Sequence, residues 1–346
     1  MQLGSPFYII GQGLAGTFIS FQLNQRGIEH QVISTPELSK SSEIAAGLIN
    51  PIVLKRLKWV SGAELFWPAL LPFYRQLEEL LEGSYLISSN LIHLFKQPGT
   101  VNQWLEKSSL PHFENHLGPT GTELPDGVIS ENYGWGQLKN IYWVQTAALL
   151  LAYREYLVKR DQYLESAVPN NPKAFRNFLK ERKLSPNQVI VCTGHLTKAL
   201  TQEKATIFTP TKGEVLVVRA PDLPQENIWH SKVFALPLGN ALFKVGATYA
   251  HQNLNDKPTS EGLAELIAGF KAIYTGSFDI VSHEAGVRPN VKDRKPLLGK
   301  IPNGPYIFNG FGSRGTLLGP YLSGIMANHL LTSDDIPPQW DINRFI

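Results

Sequence analysis

Four apolar residues, Phe7-Tyr8-Ile9-Ile10, lead directly into Gly11-Gln12-Gly13-Leu14-Ala15-Gly16, and that order leaves few folds open. The apolar run reads as a short buried strand. The stretch Thr17 to Arg26 reads as a helix that Gly27 stops. Between them the glycines stand at G-x-G-x-x-G spacing, and each answers a physical need. Gly11 allows a tight turn, Gly13 lets backbone approach a pyrophosphate, and Gly16 lets the helix pack on the strand. The free N–H groups of the helix start, in the turn holding Leu14 and Ala15, would face the phosphates. A second strand, His30-Gln31-Val32-Ile33, follows at the interval a βαβ unit requires. Strand, turn, helix and strand together select a dinucleotide site over an ordinary glycine-rich turn.

One part of that fingerprint is missing. An acidic residue that holds a ribose hydroxyl is expected to close the second strand. Ser34 stands there instead, followed by Thr35 and Pro36, and Glu37 is the nearest acid. Ser34 and Thr35 can still bond a ribose through their hydroxyls, more weakly than a carboxylate would. Neither place holds an Arg or Lys to accept a 2′-phosphate, so an NADP pocket is not indicated. The dinucleotide must be identified from the rest of the chain.

With 346 residues the chain can form two domains sharing a boundary, or one large one. Hydrophobic residues make up 43% and charged residues 18%, which is globular rather than disordered or fibrous composition. A net charge of +3 leaves no strong electrostatic footprint for nucleic acid. Lys55, Arg56 and Lys58 form a local basic run of the kind that usually marks a solvated face. No apolar stretch reaches the length of a membrane span, and no leader pattern precedes the first strand. Cys192 is the single cysteine, which excludes an internal disulfide and a zinc cluster. A cytoplasmic location is expected.

After the second strand, Ser39 to Pro51 is dense in small residues. Such a segment suits backbone lying against a flat ligand, or simply a loop. Trp67, Phe73, Tyr74, Leu77, Leu80 and Leu81 recur at helical spacing. Pro98, Gly99, Pro111, Gly118, Pro119, Gly121 and Pro125 then break the chain into a loop-rich insertion whose aromatics read as core. Val144 to Val158 predicts a long helix, and Phe175 to Leu179 a short one. Gln188 to Gly194 predicts a buried strand containing Cys192. From Ile207 to His283 strand signals dominate: Gly213 to Arg219, then Val233 to Pro237 and Ala241 to Ala247 as a hairpin around Leu238-Gly239-Asn240. Ser260 to Tyr274 predicts a helix with Ser260 as its N-cap. A last helix is expected from Leu317 to Leu331. There is no internal repeat.

Several of these separated segments together resemble the D-amino-acid-oxidase superfamily of FAD-dependent amine oxidases, which includes glycine and sarcosine oxidases. They are the N-terminal fingerprint, Ala45-Ala46-Gly47 with Asn50-Pro51, Val191-Cys192-Thr193-Gly194, and Lys212-Gly213-Glu214. Further on come Lys244-Val245-Gly246-Ala247-Thr248, Gly286-Val287-Arg288-Pro289 with Asp293 and Pro296, and Gly310-Phe311-Gly312-Ser313-Arg314-Gly315. Residues 246–249 and 310–315 also look like the oxidase half of bifunctional tRNA wobble-uridine methylaminomethyl enzymes, whose methyltransferase half finds no room in this chain.

The resemblance implies an α/β fold in which a Rossmann-like FAD-binding domain is interleaved with an α+β substrate domain built on an antiparallel sheet. Residues 1–59, 141–205 and 285–346 would form the first, and 60–140 with 206–284 the second. It places non-covalent FAD against Gly11, Gly13, Leu14, Ala15 and Gly16, against Ser34 and Thr35, and against Ala46 and Gly47. Thr193 and Gly194 would join them, with Gly312, Ser313, Gly315 and Thr316 at the flavin end. Cys192 does not stand in the C-terminal loop, so covalent attachment is not expected. The reaction implied is hydride transfer from the carbon beside an amine, giving an imine that hydrolyses.

Three side chains carry the implied chemistry. Arg288 matches the arginine that grips the substrate carboxylate, a planar group that a guanidinium can bond at both oxygens. Its alternative is a structural pairing with Glu284 or Asp293. Arg314 would add positive charge beside the flavin or reach the substrate, or else face solvent at a glycine-rich helix start. Lys244 resembles the lysine that activates oxygen near the flavin, although many strand lysines point to water. None of the nine histidines falls in these motifs, and none is nominated as a base. The expected substrate is a small carboxylated amine. A modified tRNA is the less favoured partner, and a flavin-binding subunit without turnover is the rival from another class.

Overall fold

Strand β1 (Phe7–Ile10) lies inside a six-stranded sheet and is apolar on both faces, as a strand covered by helices must be. The structure, a computed structural model, describes residues 6–129, 133–197 and 207–345, leaving out the side chains of residues 36–39, Glu37 among them. Strands β2 (His30–Ser34) and β10 (Val189–Val191) flank β1 in parallel, so that Ile10 pairs with Ile33 on one side and Val191 on the other. Beyond β2 lies β9 (Tyr163–Glu165). Beyond β10 lie β17 (Tyr306–Asn309) and the antiparallel β16 (Leu297–Lys300). Helix α1 (Leu14–Gln25) carries the chain from β1 to β2, while β10 occupies the other side of β1. A crevice therefore opens over the carboxyl ends of β1 and β10, where ligands of open α/β sheets sit.

The second sheet has nine strands. Its path runs β15 (Asp279–Arg288), β11 (Thr211–Arg219), β14 (Leu242–Gly246), β13 (Phe234–Gly239), β12 (Ile228–His230), β6 (Leu86–Leu94), β8 (Trp135–Val144) and β3 (Leu48–Ile49), with β7 (Leu117–Gly121) also on β8. Neighbours are antiparallel except at β12 and β6, which pair in parallel and put His230 opposite His93. Strands β4 (Ile52–Val53) and β5 (Lys58–Trp59) make a separate hairpin.

Around the sheets lie α2 (Pro36–Glu43), α3 (Ala63–Leu81), α4 (Thr100–Ser108), α5 (Thr146–Lys159), α6 (Pro172–Glu181), α7 (Ser260–Lys271) and α8 (Gly315–Thr332). Helix α3 buries Phe66, Leu70, Phe73 and Tyr74 in the same core as Ile9 and Phe18. Phe18 meets Phe73 edge-on at 5.1 Å, and Gly319 of α8 leaves room for the Phe18 ring. Each such side chain removed from water contributes on the order of 2 kcal/mol. This face of α3, from the segment 60–140, thus packs with the first sheet.

Several local expectations change. The segment expected to be loop-rich contains β6, α4 and β7. The Ser88-Ser89-Asn90 run hides β6 from local pattern reading, whereas ladder pairing with β8 along its length forms it. Helix α7 is capped by Thr259 rather than Ser260, because Thr259 Oγ1 accepts the Gly262 N–H at 3.1 Å. The strand expected over 188–194 is limited to β10, since the chain turns at Thr193-Gly194. Strands β8 and β15 each run across an expected domain limit. Among the described residues no helix is long and apolar enough to cross a membrane.

Candidate active site

The glycine turn after β1 closes only because side chains are absent. Gly11 has φ +102°, and a Cβ there would stand 2.8 Å from the carbonyl oxygen of Cys192 on the neighbouring strand. A Cβ on Gly16 would occupy the place of the Gly11 carbonyl oxygen. Helix α1 starts at Gly13 with no side-chain cap and no acid in its first turn. Leu14 N donates to Ser42 Oγ at 3.2 Å. The Ala15 and Gly16 N–H groups have no acceptor four residues back within the helix.

Ser34 is fully buried, and its hydroxyl accepts the Gln12 N–H at 3.0 Å. It thereby braces the glycine turn from β2. Thr35 is the N-cap position of α2. Gln12 is anchored further: its Nε2 donates to the Leu150 carbonyl, and its Oε1 accepts from Arg154 Nε, both at 2.9 Å. Arg154 also pairs with Glu43 at 3.3 Å. No local pattern signals this Gln12–Arg154–Glu43 brace, because it depends on contacts of the glycine turn with α5 and of α5 with the end of α2.

The other cofactor candidates gather around the same crevice. Gly47 has φ +68°, and a Cβ there would clash with the Val144 carbonyl, so Ala46-Gly47 lies against the end of β8. Thr193 Oγ1 is 2.9 Å from Thr197 Oγ1, and Asn309 Nδ2 donates to the Gly194 carbonyl at 2.7 Å. Helix α8 begins with Gly315 and Thr316, again with no acid in its first turn. Gly315 faces Leu14, where a Cβ would be 3.2 Å from Leu14 Cδ1. Two helix starts therefore converge, each presenting unpaired N–H groups and a positive dipole end. Ser313 is exposed in the turn before α8. These glycine-lined, acid-free helix starts fit a cofactor with a pyrophosphate and a ring system that gains negative charge.

Arg288 and Lys244 lie on one face of the nine-stranded sheet. The ladders pair Thr211 with Arg288, Val215 with Glu284 and Val217 with Lys244, and paired side chains share a face. The Arg288 guanidinium folds over Gly213, donates through Nη1 to the carbonyls of Lys212 (3.3 Å) and Thr248 (3.1 Å), and lies 4.2 Å from the Tyr249 ring centre. Asp293 pairs instead with Arg344 at 2.8 Å, which removes one of the structural partners expected for Arg288. Burial lowers the Arg288 pKa, Tyr249 opposing it, and the same two influences act on Arg314. Both guanidinium groups stay charged. Tyr249, 61% exposed, thus stands within electrostatic reach of two arginines. The resemblance at residues 246–249 assigns Tyr249 no role.

Lys244 does not point to water. Its Nζ donates to the carbonyls of Ile44 and Ala45, each at 3.3 Å, and so ties the nine-stranded sheet to the segment leading into Ala46-Gly47. Burial lowers its pKa, with nearby Glu284 acting in the other direction.

The opposite face of β11 holds a buried charged clamp. Lys212 and Glu214 are almost wholly buried, with Nζ 3.5 Å from Oε1, and His283 Nε2 stands 2.8 Å from Glu214 Oε2. Glu214 accepts from Thr259 N (3.0 Å) and Thr259 Oγ1 (2.8 Å), and Lys212 Nζ donates to Asn255 Oδ1 (3.2 Å) and to the Lys257 carbonyl. The Glu214 N–H donates to Thr248 Oγ1 at 2.9 Å. Both ends of the segment 248–259, which carries Tyr249, are therefore fastened to β11.

The family model for FAD dependent oxidoreductases, DAO, matches residues 7–329. The chain belongs to this family. It is 23% identical to glycine oxidase of Bacillus licheniformis over 96% of this chain and 94% of that protein. It is 22% identical to the tRNA 5-methylaminomethyl-2-thiouridine biosynthesis bifunctional protein MnmC of Leptospira interrogans, over 98% of this chain but only 59% of that protein. Among solved structures, glycine oxidase of Geobacillus kaustophilus superposes with a TM-score of 0.76 at 18% identity, covering 98% of this chain and 96% of that one. Iminodiacetate oxidase of Chelativorans gives 0.75 at 16% identity, covering 96% and 97%. The protein is an FAD-dependent oxidoreductase, and the expected mixed α/β architecture is the fold of these neighbours. The glycine turn and the starts of α1 and α8 are the places in it that suit FAD.

Proposed function

We propose that this oxidoreductase acts on the C–N bond of a small carboxylated amine, with Arg288 holding the carboxylate. The observation that carries this reading is the Arg288 guanidinium itself. It is half-buried, folded over Gly213, steadied by two carbonyls, and joined to no carboxylate among the described residues. A partly desolvated cation without a counter-ion is unfavourable, and a substrate carboxylate bonded at Nη2 and Nε offsets that cost. Glycine oxidase, a relative along nearly the whole chain, acts on such an amine by its name.

Bound FAD would supply the acceptor for a hydride, the two electrons and the hydrogen that leave the carbon beside nitrogen. The substrate amine loses its own proton, and water adds to the resulting imine to release a carbonyl compound and the amine or ammonia. Arg288 orients the carbon, while Tyr249 over its guanidinium keeps water from that face. Lys244, fixed beside Ala45, supplies positive charge that favours passing an electron to oxygen. Arg314 adds positive charge at the start of α8. In this reading residues 1–59, 141–205 and 285–346 build the FAD side and 60–140 with 206–284 the substrate side, α3 packing with the former.

The test is an anaerobic flavin spectrum with a pool of glycine, sarcosine, proline and D-amino acids. Bleaching of the oxidised band supports the proposal, and dividing the pool names the substrate. Flavin that stays oxidised with every member would overturn it. A second reading, trimming of a carboxymethyl group from a tRNA wobble uridine, is favoured by the similarity to MnmC and by the exposed Lys55, Arg56 and Lys58. Salt-dependent binding of tRNA would support that reading.

A further inference from the structure

The six-stranded sheet carries a second cavity at the end opposite the cofactor crevice. Its volume is about 580 Å³, within the range of small-ligand sites, and it opens at the amino ends of β1, β2 and β9. Two turns supply its charges: Glu29 from the turn between α1 and β2, and Arg160 with Asp161 from the turn between α5 and β9. Pairing of β2 with β9 holds the turns side by side, the Val32 N–H donating to the Gln162 carbonyl at 2.8 Å. Gln162 Oε1 accepts from Arg160 Nε at 3.2 Å, and the Arg160 guanidinium lies 5.4 Å from the Tyr156 ring centre. Nη1 and Nη2 are thereby left to a ligand. The carboxylates of Glu29 and Asp161 have no hydrogen-bond or ion-pair partner among the described residues.

His30 borders the same cavity and begins a buried hydrogen-bond chain. Its Nδ1 is 2.9 Å from the Ile28 carbonyl, which can only accept, so Nδ1 carries the hydrogen. Burial lowers the His30 pKa and keeps the ring neutral. Nε2 therefore accepts from Ser20 Oγ at 2.7 Å, and Ser20 Oγ accepts from the Tyr153 hydroxyl at 2.9 Å. Tyr153 stands on α5 between Leu150 and Arg154, the two residues that hold the Gln12 side chain in the glycine turn. The cavity and the glycine turn thus lie at opposite ends of one brace between α1 and α5.

We propose that this cavity binds a basic amino acid, its carboxylate on Arg160 and its two cationic groups on Glu29 and Asp161, and that occupancy tightens FAD binding. The charges match: one cation and two carboxylates of the protein meet one carboxylate and two cations of the ligand. A dicarboxylate would meet two like charges for one opposite one. The basic amino acid ties the α1–β2 turn to the α5–β9 turn, the connections that leave the two braced helices. It thereby favours the arrangement in which Gln12 is held. The site is separate from the one proposed for Arg288 and does not depend on it.

Calorimetry under argon, with the FAD-loaded protein, compares L-lysine with cadaverine, which lacks the carboxylate, and with ε-aminocaproate, which lacks the α-amino group. Lysine should bind about tenfold more tightly than either, the worth of one charge-assisted contact. Arg160→Gln should bring lysine down to the level of cadaverine. Glu29→Gln and Asp161→Asn should each cost about as much as omitting the α-amino group. Arg288→Gln should leave lysine binding unchanged. Equal affinity for the three compounds would overturn the proposal, as would lysine binding that Arg288→Gln abolishes and Arg160→Gln spares. For the coupling, apoprotein is titrated with FAD in the absence and presence of saturating lysine. FAD affinity should rise about fivefold or more, and lysine affinity should rise by the same factor when FAD is loaded. Tyr153→Phe should bind lysine normally and lose that factor. An unchanged FAD affinity in the unaltered protein would overturn the coupling.

Discussion

The guanidinium of Arg288 occupies the space in which a side chain on Gly213 would begin. The two residues sit on adjacent strands, β15 and β11, and the missing Cβ is what lets Arg288 lie flat across the sheet. Gly213 therefore shapes the place of the guanidinium, and with it the proposed carboxylate site, without touching a ligand.

Gly213→Ala should separate binding from folding. The atoms its Cβ would meet are the far end of a flexible side chain, so Arg288 can swing away and the sheet can survive. It would then lose its bonds to the Lys212 and Thr248 carbonyls. Carboxylate affinity should fall about tenfold or more, with a change in Tm of only a few degrees. Calorimetric titration with acetate and a thermal melt of the same sample give both quantities. Unchanged affinity would show that the guanidinium does not need this bed.

Lys244→Met removes the charge and keeps most of the volume. If the ammonium serves oxygen, anaerobic reduction of the flavin by amine should persist, while reoxidation by air slows by about tenfold or more. Stopped-flow absorbance resolves the two half-reactions. An equal slowing of both would instead make Lys244 only a tether between β14 and the Ile44 and Ala45 carbonyls.

Glu214 sets a pH dependence of stability. Burial works against its ionisation, but the hydrogen bonds from Thr259 and the charges of Lys212 and His283 outweigh burial and hold its carboxyl below the usual range. A carboxyl with a depressed folded pKa contributes stability that is fully present above its unfolded value, about 4.3. That stability is lost as pH falls through the folded value. Glu214→Gln should remove this acid-side slope. At pH 7 it should cost about 3 kcal/mol, because Lys212 would remain buried without its counter-charge. Urea unfolding at pH 4, 5.5 and 7 tests both statements. Tyr249 is held by the same clamp, so the variant should also weaken carboxylate binding.

Much of the first sheet was legible because local pattern and tertiary role agree there. Phe7 to Gly16 must be strand, turn and helix wherever they occur, and the glycines announce the turn. Strand β6 was not legible, since Ser88-Ser89-Asn90 is polar and the strand exists through its pairing with β8. At the site, Arg288 and Lys244 could be nominated from their motifs. Their surroundings could not. Which carbonyls hold the guanidinium, and that Ile44 and Ala45 receive the lysine, depend on contacts between residues up to 200 positions apart. Ser34 shows the same limit: its hydroxyl supports the glycine turn through Gln12, a use that its position in the fingerprint does not reveal.

The glycines of the fingerprint should differ in their tolerance of a methyl group, and the difference tests how the turn works. A Cβ on Gly16 would stand where the Gly11 carbonyl oxygen is, and backbone on both sides leaves nothing flexible to move. A Cβ on Gly13 would be 3.0 Å from Ser42 Oγ, a hydroxyl that can rotate away. Gly16→Ala should therefore yield colourless protein with a lowered Tm, because opening the turn costs on the order of 1–3 kcal/mol and misplaces the N–H groups at the start of α1. Gly13→Ala should remain yellow and bind FAD more weakly, since the added methyl narrows the approach to the pyrophosphate. Flavin absorbance per mole of purified protein, followed by titration of the apoprotein with FAD, ranks the two variants. Should Gly13→Ala prove the more damaging, the Leu14 N–H bond to Ser42, which a displaced hydroxyl would break, would be the structural reason to examine.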